Sequence, residues 1–153
     1  MTFVNYNDAD NQTALLAYLR GVEWNAGRFM HRQLTEDTFY ATFGQRAKLF
    51  FLMDRHHIAG FGALVEQDYQ KVADFTPWIA FVYVDPAYRG DGWSRRIVTF
   101  LEAQAIQEGW HEVYILTQHQ GLYGKMDYHF VYSIESHLHG TDYIYHKALI
   151  GSN

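Results

Sequence analysis

With 153 residues, 48% of them apolar and 19% charged, the chain reads as one domain, residues 1–153, large enough to bury roughly 70% of its unfolded-chain surface. It contains no cysteine, which excludes a disulfide framework, a thiolate zinc site and a cysteine nucleophile. Its 12 Lys and Arg against 17 Asp and Glu leave a net charge of -5, which argues against a nucleic-acid partner, because phosphate neutralisation needs a basic face.

In chain order, Thr2–Tyr6 has strand character, and Asp8 or Asp10 is placed to cap a helix carrying Ala14, Leu15, Tyr18 and Leu19 at helical spacing. A second helical stretch runs from Gly27 to Phe43, with Thr35, Glu36 and Asp37 as a fresh helix start inside it. The period then changes. Lys48–Met53 and Ile58–Val65 are strand-like and joined by the polar turn Asp54-Arg55-His56-His57, the pattern of a hairpin. Pro77–Val84 is a nearly continuous apolar run, as in a strand buried on both faces, and Asp85-Pro86 ends it. A helix from Trp93 to Glu108 places Trp93, Ile97, Phe100 and Leu101 on one face and Arg95 and Glu102 opposite, and Gly109 stops it. Val113–Thr117 is a strand, Leu122–Met126 one or two helical turns, and Phe130–Glu135 and Asp142–Leu149 close the chain as strands. The helix between Pro77–Val84 and Val113–Thr117 is long enough for a crossover, so those two strands are expected to run parallel as neighbours or near-neighbours.

No stretch of 18 apolar residues exists, so no membrane span is expected. Met1–Asp10 has neither a basic nor an apolar leader region, and with no cysteine a cytoplasmic location is expected.

The segment Val84-Asp85-Pro86-Ala87-Tyr88-Arg89-Gly90-Asp91-Gly92-Trp93-Ser94-Arg95-Arg96 carries the clearest chemistry. A buried strand leads into a glycine turn and then a helix N-terminus. Unpaired helix amides and the helix dipole favour an anion there, phosphate above all. Three arginines against Asp91 leave a local charge of +2 in an acidic chain. There is no G-x-x-x-x-G-K-[ST] and no G-x-G-x-x-G after the first strand, so neither a nucleotide-hydrolase loop nor a dinucleotide site is supported.

This segment resembles the acyl-CoA loop of the GNAT superfamily of N-acetyltransferases, Q/R-x-x-G-x-G/A behind V-x-P, with Arg89, Gly92 and Ser94 in those places. Leu122-Tyr123-Gly124-Lys125-Met126-Asp127-Tyr128 is similar to the family's second signature, L-Y-x-K-x-G-F, and the order of strands and helices fits along nearly the whole chain. Ser94 stands for the usual small residue, Asp91 for a common basic one and Asp127 for a glycine.

The resemblance implies a mixed α/β fold of the α+β type: a central, twisted, mostly antiparallel sheet flanked by helices, with the fourth and fifth strands splayed apart. It implies acetyl-CoA as co-substrate, with Val82, Tyr83 and Val84 bonding the pantetheine arm through their backbone and Arg89, Gly90, Asp91, Gly92, Trp93, Ser94 and Arg95 forming the pyrophosphate site. It further implies direct attack by an amine, expected to be that of a small molecule, on the thioester in a ternary complex. Tyr123 matches the general acid that protonates the leaving thiolate. From ordinary values that transfer is uphill by about 2 kcal/mol.

Asp74, Glu66, Asp68 and Glu23 are the candidate general bases, none marked out by a motif, with Asp74 taken first and a water chain as the alternative. Trp24, Phe29, Trp78 and Tyr143 are candidates to wall an acceptor pocket. His56 and His57 fall in a hairpin turn, His119 lies near the presumed thiol, and the pair His137 and His139 lacks further ligands nearby, so no metal is expected. Tyr143 and Tyr145 are candidates to bury against a second copy in a homodimer. The competing readings are a non-catalytic acyl-CoA-binding or sensor module and an acetyltransferase acting on proteins or peptides.

Overall fold

The computed structural model describes residues 1–67, 74–136 and 140–149; Asp68, His137 and His139 lie outside them. The strands are β1 (Thr2–Asn5), β2 (Lys48–Asp54), β3 (His57–Val65), β4 (Trp78–Val84), β5 (Glu112–Thr117), β6 (His129–Ser136) and β7 (Gly140–Ala148). The helices are α1 (Gln12–Gly21), α2 (Asn25–Thr35), α3 (Phe39–Phe43) and α4 (Trp93–Gln107), with 3-10 turns at Tyr6–Asp8, Pro86–Tyr88 and Tyr123–Met126. The strands form one sheet in the order β1-β2-β3-β4-β5-β7-β6. Among the described residues β4–β5 is the parallel pair and every other neighbouring pair is antiparallel. The helical crossover therefore joins direct neighbours, as its length requires.

Two apolar clusters cover the two sheet faces. Leu15 and Leu19 of α1, Met30 of α2 and Phe43 of α3 pack with Phe51, Phe61 and Trp78 on one side. Ile97, Val98, Leu101 and Ala105 of α4 pack with Leu52, Leu64 and Ile115 on the other. Gly62 of β3 allows α4 to sit close: a Cβ there would lie 2.7 Å from Ile97 Cγ2 and 3.0 Å from Leu101 Cδ1, inside contact distance.

Four local expectations are corrected. Neither Asp8 nor Asp10 caps α1; its N-cap is Asn11, without a side-chain cap bond, while Asn5 Oδ1 accepts from Asn7 N–H at 2.9 Å and caps the preceding 3-10 turn. Thr35 ends α2 rather than starting a helix: its hydroxyl donates back to His31 O at 2.9 Å, and Asp37 turns the chain with φ 58 before α3. Pro77–Val84 is deeply buried only as far as Phe81; Val82, Tyr83 and Val84 are half-buried. Glu102 does not face solvent opposite Ile97. It is 8% exposed, where its Oε2 accepts from the Tyr128 hydroxyl at 2.6 Å and its two oxygens lie 3.1 and 3.2 Å from Lys147 Nζ.

Tyr18 donates to Asp85 Oδ2 at 2.7 Å and Tyr128 to Glu102, each across distant elements, and within β5 Tyr114 donates to Glu112 Oε1 at 2.8 Å. Burial first, and the neighbouring carboxylate second, push all three phenols up, Tyr114 to about 12. The folded state thus keeps protons that unfolded tyrosines release near pH 10. This contribution is fully present below pH 10 and is lost as the pH rises through the folded values. The urea midpoint is expected to hold steady between pH 8 and pH 9.5 and to fall progressively above pH 10. A midpoint that is flat from pH 9 to pH 11 would refute this.

Candidate functional site

The site begins with an irregularity in β4. Phe61 pairs with Tyr83 and Ala63 with Ala80, so Gly62 faces two residues, Phe81 and Val82. This is a β-bulge, which bends the strand and re-aims it. Phe81 takes φ 57 while buried, a conformation that costs a non-glycine residue of order 1–3 kcal/mol and clusters at functional sites. Beyond the bulge β4 leaves its parallel neighbour: β4 and β5 pair at Trp78 with Tyr114 and at Ile79 with Ile115, and no further. The second half of β4 keeps its antiparallel bonds to β3 but turns its other edge to a gap.

At the end of that gap the chain is pinned from several sides. Asp85 Oδ1 accepts from Ala87 N–H at 2.9 Å and its Oδ2 accepts from Tyr18 of α1. The Tyr88 hydroxyl donates to Asp54 Oδ2 at 2.8 Å, tying the turn to the β2–β3 hairpin. Arg89 Nε donates to Val84 O at 2.9 Å, with its guanidinium 5.5 Å from the Tyr83 ring centroid. Gly90 and Gly92 then take φ 94 and φ 80, and Gly92 is the N-cap of α4. Helix geometry leaves the amides of Trp93, Ser94 and Arg95 without intrahelical partners; the ladder starts with Arg96 N–H to Gly92 O at 3.2 Å. A Cβ built on Gly90 or Gly92 meets nothing within 4 Å, so the face above the loop is open. Arg89, Asp91 and Arg95 are exposed around it, and Trp93 and Ser94 are half-buried.

Tyr123 lies in the 3-10 turn after β5, 8% exposed, in the same apolar cluster that Val82 and Val84 pack against. Its ring centroid is 5.6 Å from that of Tyr128, edge-on at 70°, and 6.3 Å from that of Tyr145. Burial pushes its phenol up, so it holds its proton throughout the neutral range. Asp127 takes φ 67, the conformation for which a short polar side chain substitutes for glycine, and Tyr128 N–H bonds back to Tyr123 O at 3.1 Å.

The unpaired backbone of Val82, Tyr83 and Val84 thus runs into the Arg89–Arg95 loop, and Tyr123 lies in the apolar cluster that Val82 and Val84 pack against. Asp74 does not join them: it is exposed in the turn that leads into β4, at the paired end of the β4–β5 seam. Glu66 Oε1 accepts from Arg46 N–H at 2.5 Å, and Glu23 is exposed. Of the four candidate pocket rings, two meet at the bulge. Trp24, from the α1–α2 link, stacks over Tyr83 at 5.8 Å and Phe61 at 6.2 Å, and Phe29 lies 6.5 Å from Phe81. Trp78 sits in the core beside Tyr114, and Tyr143 packs toward Phe130 on the α4 side of the sheet. His56 and His57 are exposed in the hairpin, and His119 N–H donates to Thr117 Oγ1 at 3.1 Å. Among the described residues no three His, Asp or Glu are grouped to hold a metal, and no helix is long and apolar enough to cross a membrane.

An open helix N-terminus behind two left-handed glycines, at the mouth of a slot in a sheet, fits a ligand with phosphates at one end and a narrow, hydrogen-bonding arm at the other. The family model described as Acetyltransferase (GNAT) family matches residues 16–128. The chain belongs to the GNAT acetyltransferase family.

Solved GNAT-fold structures cover nearly all of it. An aminoglycoside 6'-N-acetyltransferase complexed with coenzyme A is 14% identical, covering 100% of this chain and 99% of its own, with a TM-score of 0.72. A GNAT family acetyltransferase from Elizabethkingia anophelis with acetyl-CoA bound is 12% identical over 97% of both chains, with a TM-score of 0.66. A ribosomal-protein-alanine N-acetyltransferase from Brucella melitensis is 14% identical, covering 97% of this chain and 100% of its own, with a TM-score of 0.65. No curated protein matches at a significant level. At these identities the likeness is one of fold, and it includes the splayed β4–β5 seam of this GNAT chain.

Proposed function

We propose that this GNAT acetyltransferase moves the acetyl group of acetyl-CoA to the primary amine of a small molecule, by direct attack within a ternary complex. The observation that carries the reading is the continuity of the unpaired half of β4 with the Gly90–Gly92 loop and the N-terminus of α4. Amides of the loop and of the first helical turn receive the pyrophosphate of acetyl-CoA, and the open edge of Val82, Tyr83 and Val84 receives its pantetheine arm. A backbone N–H at this edge polarises the thioester carbonyl.

The amine nitrogen then forms a bond to the carbonyl carbon as the carbon–sulfur bond breaks. The departing sulfur takes the Tyr123 hydroxyl proton, leaving N-acetyl amide and free CoA thiol. The amine's own proton leaves to water. Tyr123 regains a proton from solvent before the next cycle.

Because the chain has no cysteine, a thiol reagent reports CoA release without background from the protein. Incubated with acetyl-CoA and a panel of small amines, it is expected to release thiol with at least one of them. Release only with peptides would replace the small-molecule acceptor by a polypeptide one. Binding of acetyl-CoA without release to any amine would support a sensor instead.

Trp24, 37% exposed above the bulge, gives the acceptor side an aromatic wall. Losing one ring stack removes about 1 kcal/mol. Trp24→Ala is therefore expected to raise the acceptor KM about five- to tenfold, with kcat and the acetyl-CoA KM nearly unchanged. An unchanged acceptor KM would move the acceptor elsewhere.

A further inference from the structure

Glu102, Tyr128 and Lys147 form a buried polar cluster that the reaction above does not use. Tyr128 is 3% exposed, and its hydroxyl donates to Glu102 Oε2 at 2.6 Å. Lys147 of β7 neutralises Glu102 from 3.1 Å and lies 5.4 Å from the Tyr128 ring centroid. The cluster thus joins α4, β7 and the turn that carries Tyr123. The same Tyr128 closes that turn with its N–H and sets its ring edge-on against Tyr123.

We infer that Tyr128, held by Glu102, is a positioning residue for Tyr123. Glu102 stands nine residues into α4 from Trp93, about 13 Å along a rigid helix. The loop at the N-terminus of α4 and the Tyr123 ring are therefore fixed to one rod. A ligand anchored by its phosphates presents its sulfur at a set distance from that anchor, so the proton donor must be held at a matching distance. A phenylalanine at 128 would fill the same volume, so packing alone does not require the hydroxyl. A misplacement of about 1 Å at a reacting centre costs up to about a hundredfold in rate.

This rests on Tyr123 being the proton donor, and a double-mutant cycle separates the two ideas. Tyr128→Phe is expected to lower kcat about tenfold with the acetyl-CoA KM within about twofold of wild type. In a Tyr123→Phe background the same change is expected to cost nothing further, because the group it positions is gone. Glu102→Gln, which keeps Tyr128 and an acceptor for its hydroxyl, is expected to retain most of the wild-type kcat. A Tyr128→Phe enzyme with a lower melting temperature and full kcat would overturn the positioning role, as would losses that multiply in the double variant. A Tyr123→Phe enzyme at full kcat would instead overturn the donor assignment itself.

Discussion

Tyr123→Phe is expected to lower kcat by about 10²- to 10⁴-fold, the range a well-placed general acid supplies, while acetyl-CoA binds as in wild type. The substitution removes one oxygen from a ring 8% exposed and held edge-on by Tyr128, so the packing around it survives. Burial raises the phenol above its ordinary value of 10, which makes it a reluctant acid toward solvent. As the proposed acid it would give up its proton only to a thiolate developing beside it. The pH profile carries the sign. The proposed role needs Tyr123 protonated, and its folded pKa is raised, so on that reading this group imposes no fall in kcat until the pH exceeds 10. Steady-state kinetics from pH 6 to pH 10.5 check both parts. A phenylalanine variant at full rate would remove Tyr123 from the chemistry, and a fall in wild-type kcat centred below pH 9 would have to come from another group.

Gly92→Trp is expected to weaken acetyl-CoA binding at least about a hundredfold, a difference of about 2.7 kcal/mol, in a protein that remains folded. The residue stands at φ 80 and caps α4, and a Cβ there touches nothing within 4 Å. No steric clash inside the protein is therefore created. The left-handed conformation alone costs about 1–2 kcal/mol, which for a chain of this size lowers the melting temperature by about 2–8 °C. The indole projects onto the face where the free helix amides lie and excludes phosphate from them. Gly109→Trp is the matched control: it too has a positive φ, 93, and open space, but stands at the other end of α4. Calorimetric titration of acetyl-CoA and of CoA into wild type and both variants separates occlusion from strain. Equal losses in both variants, or retained micromolar binding in Gly92→Trp, would sink the loop as the phosphate site.

Much of this site was legible because it is local. The hairpin turn at Arg55-His56, the β4 run, the glycine loop and the α4 stripe follow from patterns within a dozen residues, and the glycines announce themselves because few other residues adopt their φ. What was not legible comes from partners far along the chain. Glu102 looks like a surface acid on a helical wheel. Its burial is decided by a hydroxyl 26 residues away and an ammonium 45 away. The positive φ of Phe81 has no composition signal at all; it arises from fitting β4 to β3 and the helices at once. Of the four rings offered as pocket walls, nothing local separates Trp24 and Phe29, which meet Tyr83 and Phe81 at the bulge, from Trp78, which enters the core. Thr35 has the right chemistry for a helix start, but its hydroxyl bonds backward along α2 instead.

The half-joined seam of β4 and β5 also bears on the mechanics of the molecule. Five antiparallel ladders hold the sheet together elsewhere, but its β1–β4 and β5–β7 parts share two residue pairs along the seam. The sheet is hinged there rather than welded. An elongated ligand lying in the slot would knit both lips, so rigidity across the molecule rises with occupancy. A ligand that binds the folded state alone also raises the unfolding free energy, by about 2.7 kcal/mol at a hundred times its Kd. On the proposed binding mode the empty protein would be the softer form, and the slot that takes the ligand would also be the line along which the sheet gives.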